Sequence, residues 1–260
     1  MTEFIKDNFS RLVTERQLAL GREVVFFSET TSTNDIALQM SEAGAAHGLV
    51  VVAGYQSHGR GRHGNIWHSP MDAENLLFSV LLRIQQLPMS PGSFTLSMGL
   101  AVRDALRPVL DREVLIKWPN DIWVDDKKLA GILVESRLGS TTATFVVGVG
   151  LNVAMRELPE PIGRTATSLA LLTRNVPTRE RLLADILEGI ERRSQTWLSS
   201  GLTPVLAELR HCDALLGRKV TVDGVQGYAR GIDDGGALLL QTSQDQPARP
   251  VLSGTVEIIG

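Results

Sequence analysis

The chain has 260 residues and a formal net charge of −3, with 43% apolar, 21% charged and 5% aromatic side chains. That apolar content excludes a disordered chain, the slight acidity argues against broad nucleic-acid binding, and the longest apolar runs, such as 49–53 and 145–153, fall well short of the roughly 18 residues of a membrane helix. One cysteine, Cys212, leaves no internal disulfide, and the first eight residues mix charges without an apolar signal core, so a reducing cytoplasm is the expected compartment.

In chain order, Phe4, Ile5, Phe9, Leu12 and Val13 recur at helical steps and predict one short amphipathic helix before Gly21, too little for a helix-turn-helix module. A β-rich run from Glu23 to Ser28 leads into Thr30 to Asn34, whose side chains favour helix caps, and a helix through Ile36, Ala37 and Met40. Leu49 to Gly54 reads as a buried strand, followed by a Gly- and Arg-rich loop from Tyr55 to Asn65; Leu76 to Ile84 is the next strand and Phe94 to Leu110 a helix. Val114 to Trp118 is stopped by Pro119-Asn120. Two hairpins follow, one turning at 125–128 between Ile122–Val124 and Leu129–Glu135, the other running through Gly139 to Phe145 and Val153. Helical spacing returns at Arg179 to Trp197 and Pro204 to His211. From Leu215 short strands alternate with turn signals at Asp223-Gly224 and 233–236, ending in a strand from Thr255 to Ile259. The pattern predicts an α+β chain with a mixed sheet, residues 1–213, and a small all-β barrel, residues 214–260.

Three segments carry chemical potential. In the loop Gly59-Arg60-Gly61-Arg62-His63-Gly64-Asn65, three glycines within six residues let backbone N–H groups converge on an anion, while Arg60 and Arg62 supply fixed charge; a solvated surface loop is the plain alternative. It is neither a Walker nor a Rossmann loop, lacking the Gly-Lys-Ser/Thr of the first and the following helix of the second. Lys117-Trp118-Pro119-Asn120-Asp121 sets a cation at a strand end beside a proline-fixed turn, with a carboxylate able to serve a metal ion, although a polar turn alone would look the same. Gly131, Gly148 and Gly150 interrupt buried strands, a mark of close approach by a ligand or another part of the chain.

Together these segments resemble the biotin protein ligase family. The resemblance rests on Ser32-Thr33-Asn34, Gln56, the loop 59–64, Trp67, Lys117 to Asp121, Leu129 to Glu135, and Gly148-x-Gly150-x-Asn152, and extends from about Val24 to the C-terminus. It implies a central mixed sheet with helices on one face, like that of class II aminoacyl-tRNA synthetases, followed by an SH3-like barrel. It further implies that biotin and ATP, with Mg²⁺, give biotinyl-5′-AMP and that biotin then passes to a lysine of a biotin carboxyl carrier domain. By resemblance, Lys117 and Arg62 are the catalytic residues. Ser32, Thr33, Asn34, Gln56, Arg60, Gly61, Arg62 and Lys117 bind biotin; Arg60, Arg62, Trp67, Asn120 and Asn152 border the nucleotide; Asp121 faces the magnesium ion.

The family often has arginine where Asn65 stands, which takes one expected phosphate contact out of the loop. Rival readings are a lipoate or octanoate ligase of the same fold, whose different arginine and glycine signature is not found, and a biotin-responsive DNA-binding regulator. No DNA and no membrane partner is expected, and exposed sheet edges leave a homodimer open. His58, His63 and His68 recur every five residues, but on a loop without a fourth ligand they do not form an ordinary metal set. Cys212 at a helix end reads as structural.

Overall fold

A computed structural model describes residues 4–68, 75–85, 91–139, 142–158 and 162–259. Helix α1 (Lys6–Glu15) buries Phe9 and Val13, the positions that the three- and four-residue spacing selects. Seven strands form the main sheet: β1 (Val24–Thr30), β2 (Val50–Gln56), β3 (Asn75–Ile84), β4 (Leu115–Lys117), β5 (Asp121–Val124), β6 (Lys127–Leu138) and β7 (Ala143–Asn152), in the order β1-β2-β3-β7-β6-β5-β4. Only β1 and β2 run parallel, because α2 (Thr33–Glu42) crosses between them; the other neighbours are antiparallel. The sheet is therefore mixed, as the two hairpins predict.

The long helices α3 (Pro91–Leu106) and α6 (Arg179–Ser200) join α1 over one face of the sheet, where Val50, Val52, Phe78, Val80, Val147 and Val149 meet Phe94, Leu183 and Ile186 in one core. Phe94, Phe145 and Trp197 form its aromatic centre, with ring centroids 4.7–6.3 Å apart, and Trp197 Nε1 donates to Ser93 Oγ at 2.8 Å. Thr178 accepts from Arg181 N and caps α6, which ends at Gly201 with φ of 63°. Helices on one face describes these long elements. Helix α2 packs against the other face through Ala37, Ile36 and Met40 onto Leu49, Val51, Leu81 and Val146, so β2 and β3 are buried on both sides. This two-sided burial is why they read as continuous apolar runs.

Register Val124↔Lys127 makes the β5–β6 turn a two-residue loop, Asp125-Asp126, with φ of 50° and 59°. Aspartate tolerates that left-handed region better than most residues. The connection 153–178, which carries no readable period, contains two single-turn helices, α4 (Ile162–Thr165) and α5 (Leu169–Leu172). After α6 comes α7 (Leu206–His211), and then five antiparallel strands: β8 (Lys219–Val222), β9 (Val225–Ile232), β10 (Leu238–Gln241), β11 (Arg249–Val251) and β12 (Val256–Ile258), in the order β11-β10-β9-β8-β12. This second sheet docks on the first. Trp118 Nε1 donates to Gly236 O at 2.9 Å, and Gly236, at φ of 87°, lies so close to Ser93 that an added Cβ would sit 2.9 Å from the serine Cα. Among the described residues, no helix is long and apolar enough to cross a membrane.

The segment leaving α7 covers the outer edge of β4: Ile116 N donates to Cys212 O, and Ala214 N to Ile116 O. Burial pushes the Cys212 thiol up to about 11, as befits a packing residue and not a nucleophile. Burial likewise raises the Asp213 carboxyl to about 6, against the lowering effect of the backbone N–H groups of Leu215 and Leu216. A folded-state value above the unfolded one means that the native protein holds this proton more tightly. Stability from that source is complete below about pH 4 and is lost as pH rises toward 6. Asp213→Asn should therefore gain relative to wild type between pH 4 and pH 6.5, read by urea unfolding at both values; an unchanged difference would mean that Asp213 titrates normally.

Candidate active site

One cleft gathers almost every residue that the motifs select. Its lining includes Ser32, Thr33 and Asn34 at the start of α2, Gln56 at the end of β2, Arg60, Gly61, Arg62 and Trp67 from the loop, Lys117, Asn120 and Asp121 from the β4–β5 corner, and Gly131, Gly148 and Gly150 in mid-sheet. The exception is Asn152. Its Nδ2 donates to Thr167 O at 2.9 Å, and the residue is buried and not part of the cleft lining. Its amide braces the backbone at Thr167.

The floor is a hydrogen-bonded polar set. Ser32 occupies the N-cap position of α2, but its side chain makes no capping bond. Instead the helix start is held from outside: Thr33 N donates to Gln56 Oε1 at 2.7 Å, and Thr33 Oγ1 lies 3.1 Å from the same oxygen. A backbone N–H needs an acceptor, so this bond fixes the amide of Gln56 with its oxygen toward Thr33 and leaves Nε2 as its donor. Buried Ser79 lies 2.7 Å from Thr33 Oγ1 and 2.6 Å from Asn34 Oδ1. The sequence reading passes over Ser79, which is the one hydroxyl within an otherwise apolar strand run.

The mid-strand glycines clear space for side chains of this chain. A Cβ on Gly148 would stand 2.1 Å from Asn34 Oδ1, and one on Gly150 2.5 Å from the Trp67 ring. Trp67 thus lies flat across β6 and β7 as an apolar wall. Gly148→Ala should displace Asn34 and break its two strong bonds, costing about 1–3 kcal/mol of stability. A melting temperature equal to wild type would show that the strand shifts to make room.

The loop is a hydrogen-bonded ribbon. Gly61 N donates to Asn65 O at 2.7 Å, Trp67 N to Gly59 O at 2.8 Å, and Ser57 N and His58 N to the carbonyls of Thr30 and Thr31. His63 and Gly64 turn the tip at positive φ. The Gly61 amide is used within the ribbon, and Gly59 is needed because a Cβ there would meet Trp67 O at 2.4 Å. Positive charge comes from side chains instead. Arg60, Arg62, Lys117 and Lys128 line the cleft against Asp121, the one carboxylate among its described lining residues. In the sequence Lys128 is only part of a hairpin turn. Its Nζ lies 2.8 Å from Asp121 Oδ1 and 5.3 Å from the Trp67 ring centroid, a position that turn chemistry alone does not reveal. Lys117 Nζ stands 4.6 Å over Trp123. Burial lowers the Lys117 pKa, Asp121 opposes that shift, and neighbouring Lys128 lowers it further. Burial also lowers Arg62, countered by Asp121 and by Asp223 of the second sheet. Crowded, partly dehydrated cations of this kind favour an arriving anion. Gly254, Thr255 and Val256 close one side of the cleft from the second sheet.

Asn120 Nδ2 donates to Ile132 O at 2.8 Å, so this side chain ties the corner to β6 at the edge of the cleft. The Asn65 backbone closes the ribbon tip. Among the described residues, no group of three His, Cys, Asp or Glu side chains is placed to hold a metal ion.

A mixed sheet bearing a polar floor, an aromatic wall and converging cations defines an enzyme that brings anionic reactants together. The profile of the Biotin/lipoate A/B protein ligase family matches residues 26–152. The biotin–[acetyl-CoA-carboxylase] ligase of Mycobacterium tuberculosis is 36% identical over 230 residues, covering 84% of this chain and 83% of that protein. The bifunctional ligase/repressor BirA of Salmonella typhimurium is 35% identical over 220 residues, covering 81% of this chain and 67% of that protein. Among solved structures, the Aquifex aeolicus biotin protein ligase in complex with biotin and ATP superposes with a TM-score of 0.79 at 27% identity, over 92% of this chain and 99% of that one. The chain belongs to the Biotin/lipoate A/B protein ligase family.

Proposed function

We propose that the chain is an ATP-dependent biotin protein ligase: it joins biotin and ATP into biotinyl-5′-AMP with release of pyrophosphate, then transfers biotin to a lysine of a biotin carboxyl carrier domain. The observation that carries the choice of biotin is the polar floor. A ureido ring presents one carbonyl and two N–H groups, and Gln56 Nε2 with the hydroxyl oxygens of Ser32 and Thr33 offers the matching donor and acceptors. A lipoyl dithiolane or an octanoyl chain would leave these groups unpaired, at a cost that disfavours it.

The first step joins two anions. The biotin carboxylate attacks the α-phosphate, the bond to the β-phosphate oxygen breaks, and pyrophosphate leaves. Lys117 and Arg62 would offset the repulsion and stabilise the charge on the phosphoryl oxygens, with Lys128 beside them; Arg60 is already ion-paired with Asp35 and Glu135. Trp67 supplies an apolar face to the ligand. In the second step the neutral carrier-lysine amine attacks the acyl carbon, the acyl–phosphate bond breaks, AMP departs, and the amine loses a proton. The residues fit a magnesium ion in a limited sense: Asp121 could give one oxygen, with nucleotide phosphates supplying the rest, as hard cations commonly bind. When bound, such an ion would neutralise phosphate charge. We assign residues 1–213 to the ligase unit and 214–260 to a barrel that completes its cleft.

Incubating the protein with ATP, Mg²⁺, a carrier domain and either biotin or lipoate tests this reading. Mass spectrometry should show a biotin-sized increase on one carrier lysine and none with lipoate; the reverse would move the chain to the other branch of its family.

A further inference from the structure

Resting on the proposed ligase activity, one connection in the cleft goes further. Asn34 Nδ2 donates to Glu135 Oε2 at 2.7 Å, and Arg60 Nη2 reaches the same oxygen at 2.5 Å. Arg60 also lies 2.8 Å from Asp35 Oδ1. Asn34 Oδ1 can only accept, so Ser79 gives its single proton there; Thr33 then donates across the 2.7 Å contact to Ser79, and its link to Gln56 Oε1 is the backbone N–H bond, the 3.1 Å hydroxyl contact carrying no proton. An unbroken line of polar contacts thus runs from the Gln56–Thr33 floor through Ser79, Asn34 and Glu135 to the arginine in the ribbon. Gly148 has room for nothing but the Asn34 amide beneath that line.

We infer that Glu135 is a positioning residue: by binding Arg60 and Asn34 through one oxygen, it couples the order of the biotin floor to the seating of the Gly-Arg loop over the adenylate. The carboxylate touches neither reactant; it acts through the two side chains that it holds. Asp35 is the internal contrast, since it meets Arg60 but makes no bond to Asn34.

The experiment uses the full chain with biotin, ATP and Mg²⁺, and reads the biotin KM and kcat of adenylate formation together with the rate at which preformed biotinyl adenylate leaves. Glu135→Gln keeps the shape of the side chain and removes its charge. It should raise the biotin KM and speed adenylate release, each by about three- to tenfold, the size of one partly exposed charge-assisted hydrogen bond. Asp35→Asn should speed release alone. In the Arg60→Ala background, Glu135→Gln should add little to the release rate, because the partner is already gone. Wild-type release and KM in Glu135→Gln, or effects that simply multiply in the double variant, would overturn the coupling while leaving the ligase reading in place. A wild-type protein that forms no biotinyl adenylate would overturn both.

Discussion

Replacing Lys117 by alanine should abolish most adenylate formation while leaving the protein folded. Removing one preorganised donor to a developing oxyanion typically costs about 100- to 1,000-fold in rate. Lys117 sits between Asp121 and Lys128 in a partly dehydrated cleft, where its charge is worth more than on a surface. Its stem contributes little to the core, whose contacts at the β4 end come from Ile116 and Trp118. The expected result is near-complete loss of biotin-dependent pyrophosphate exchange with a melting temperature within a few degrees of wild type. Exchange at the wild-type rate would remove Lys117 from the reaction.

Arg62→Gly should act later, on the intermediate. Arg62 stands at the start of the ribbon tip, half-buried, near the charges of Asp121 and of Asp223 from the second sheet. The glycine removes a cation from beside the phosphate and frees the backbone next to His63 and Gly64, which already turn at positive φ. The reactive anhydride should then leave at least about tenfold faster, consistent with loss of a charged hydrogen bond plus added loop freedom. Released biotinyl adenylate acylates amines without guidance, so added bystander proteins should become biotinylated. Labelling confined to the carrier domain would show that retention does not depend on Arg62.

Much of the fold was legible because its signals are local. The apolar runs at 49–54 and 76–84, the 125–126 turn and the α1 spacing each stand in the structure within a few residues of their expected places. What escaped is tertiary. Ser79 looks like an incidental hydroxyl until α2 brings Asn34 and Thr33 over it, and Lys128 looks like turn polarity until the register of β5 and β6 sets it beside Asp121. Asn152 is placed by a tertiary contact as well. Its motif neighbours Gly148 and Gly150 line the cleft on the same face of the strand, but at the strand end the Thr167 carbonyl takes its amide. Of the loop glycines, Gly61 spends its amide on Asn65 O and Gly59 lends its carbonyl to Trp67 N, both within the ribbon. Spacing identifies which residues meet; it does not say which donors are spent on the chain's own backbone.

The wall formed by Gly254, Thr255 and Val256 has a consequence for the protein's synthesis. These residues enter the cleft at the start of β12, and β12 is held by pairing with β8, more than thirty positions earlier in the chain. Every cation and floor group precedes them in order of translation, so a ribosome-bound chain can carry the full reactive set while one side of its cleft stands open to water. Because a mixed anhydride in an open cleft hydrolyses or escapes, protection of the intermediate depends on the docking of β12 against β8.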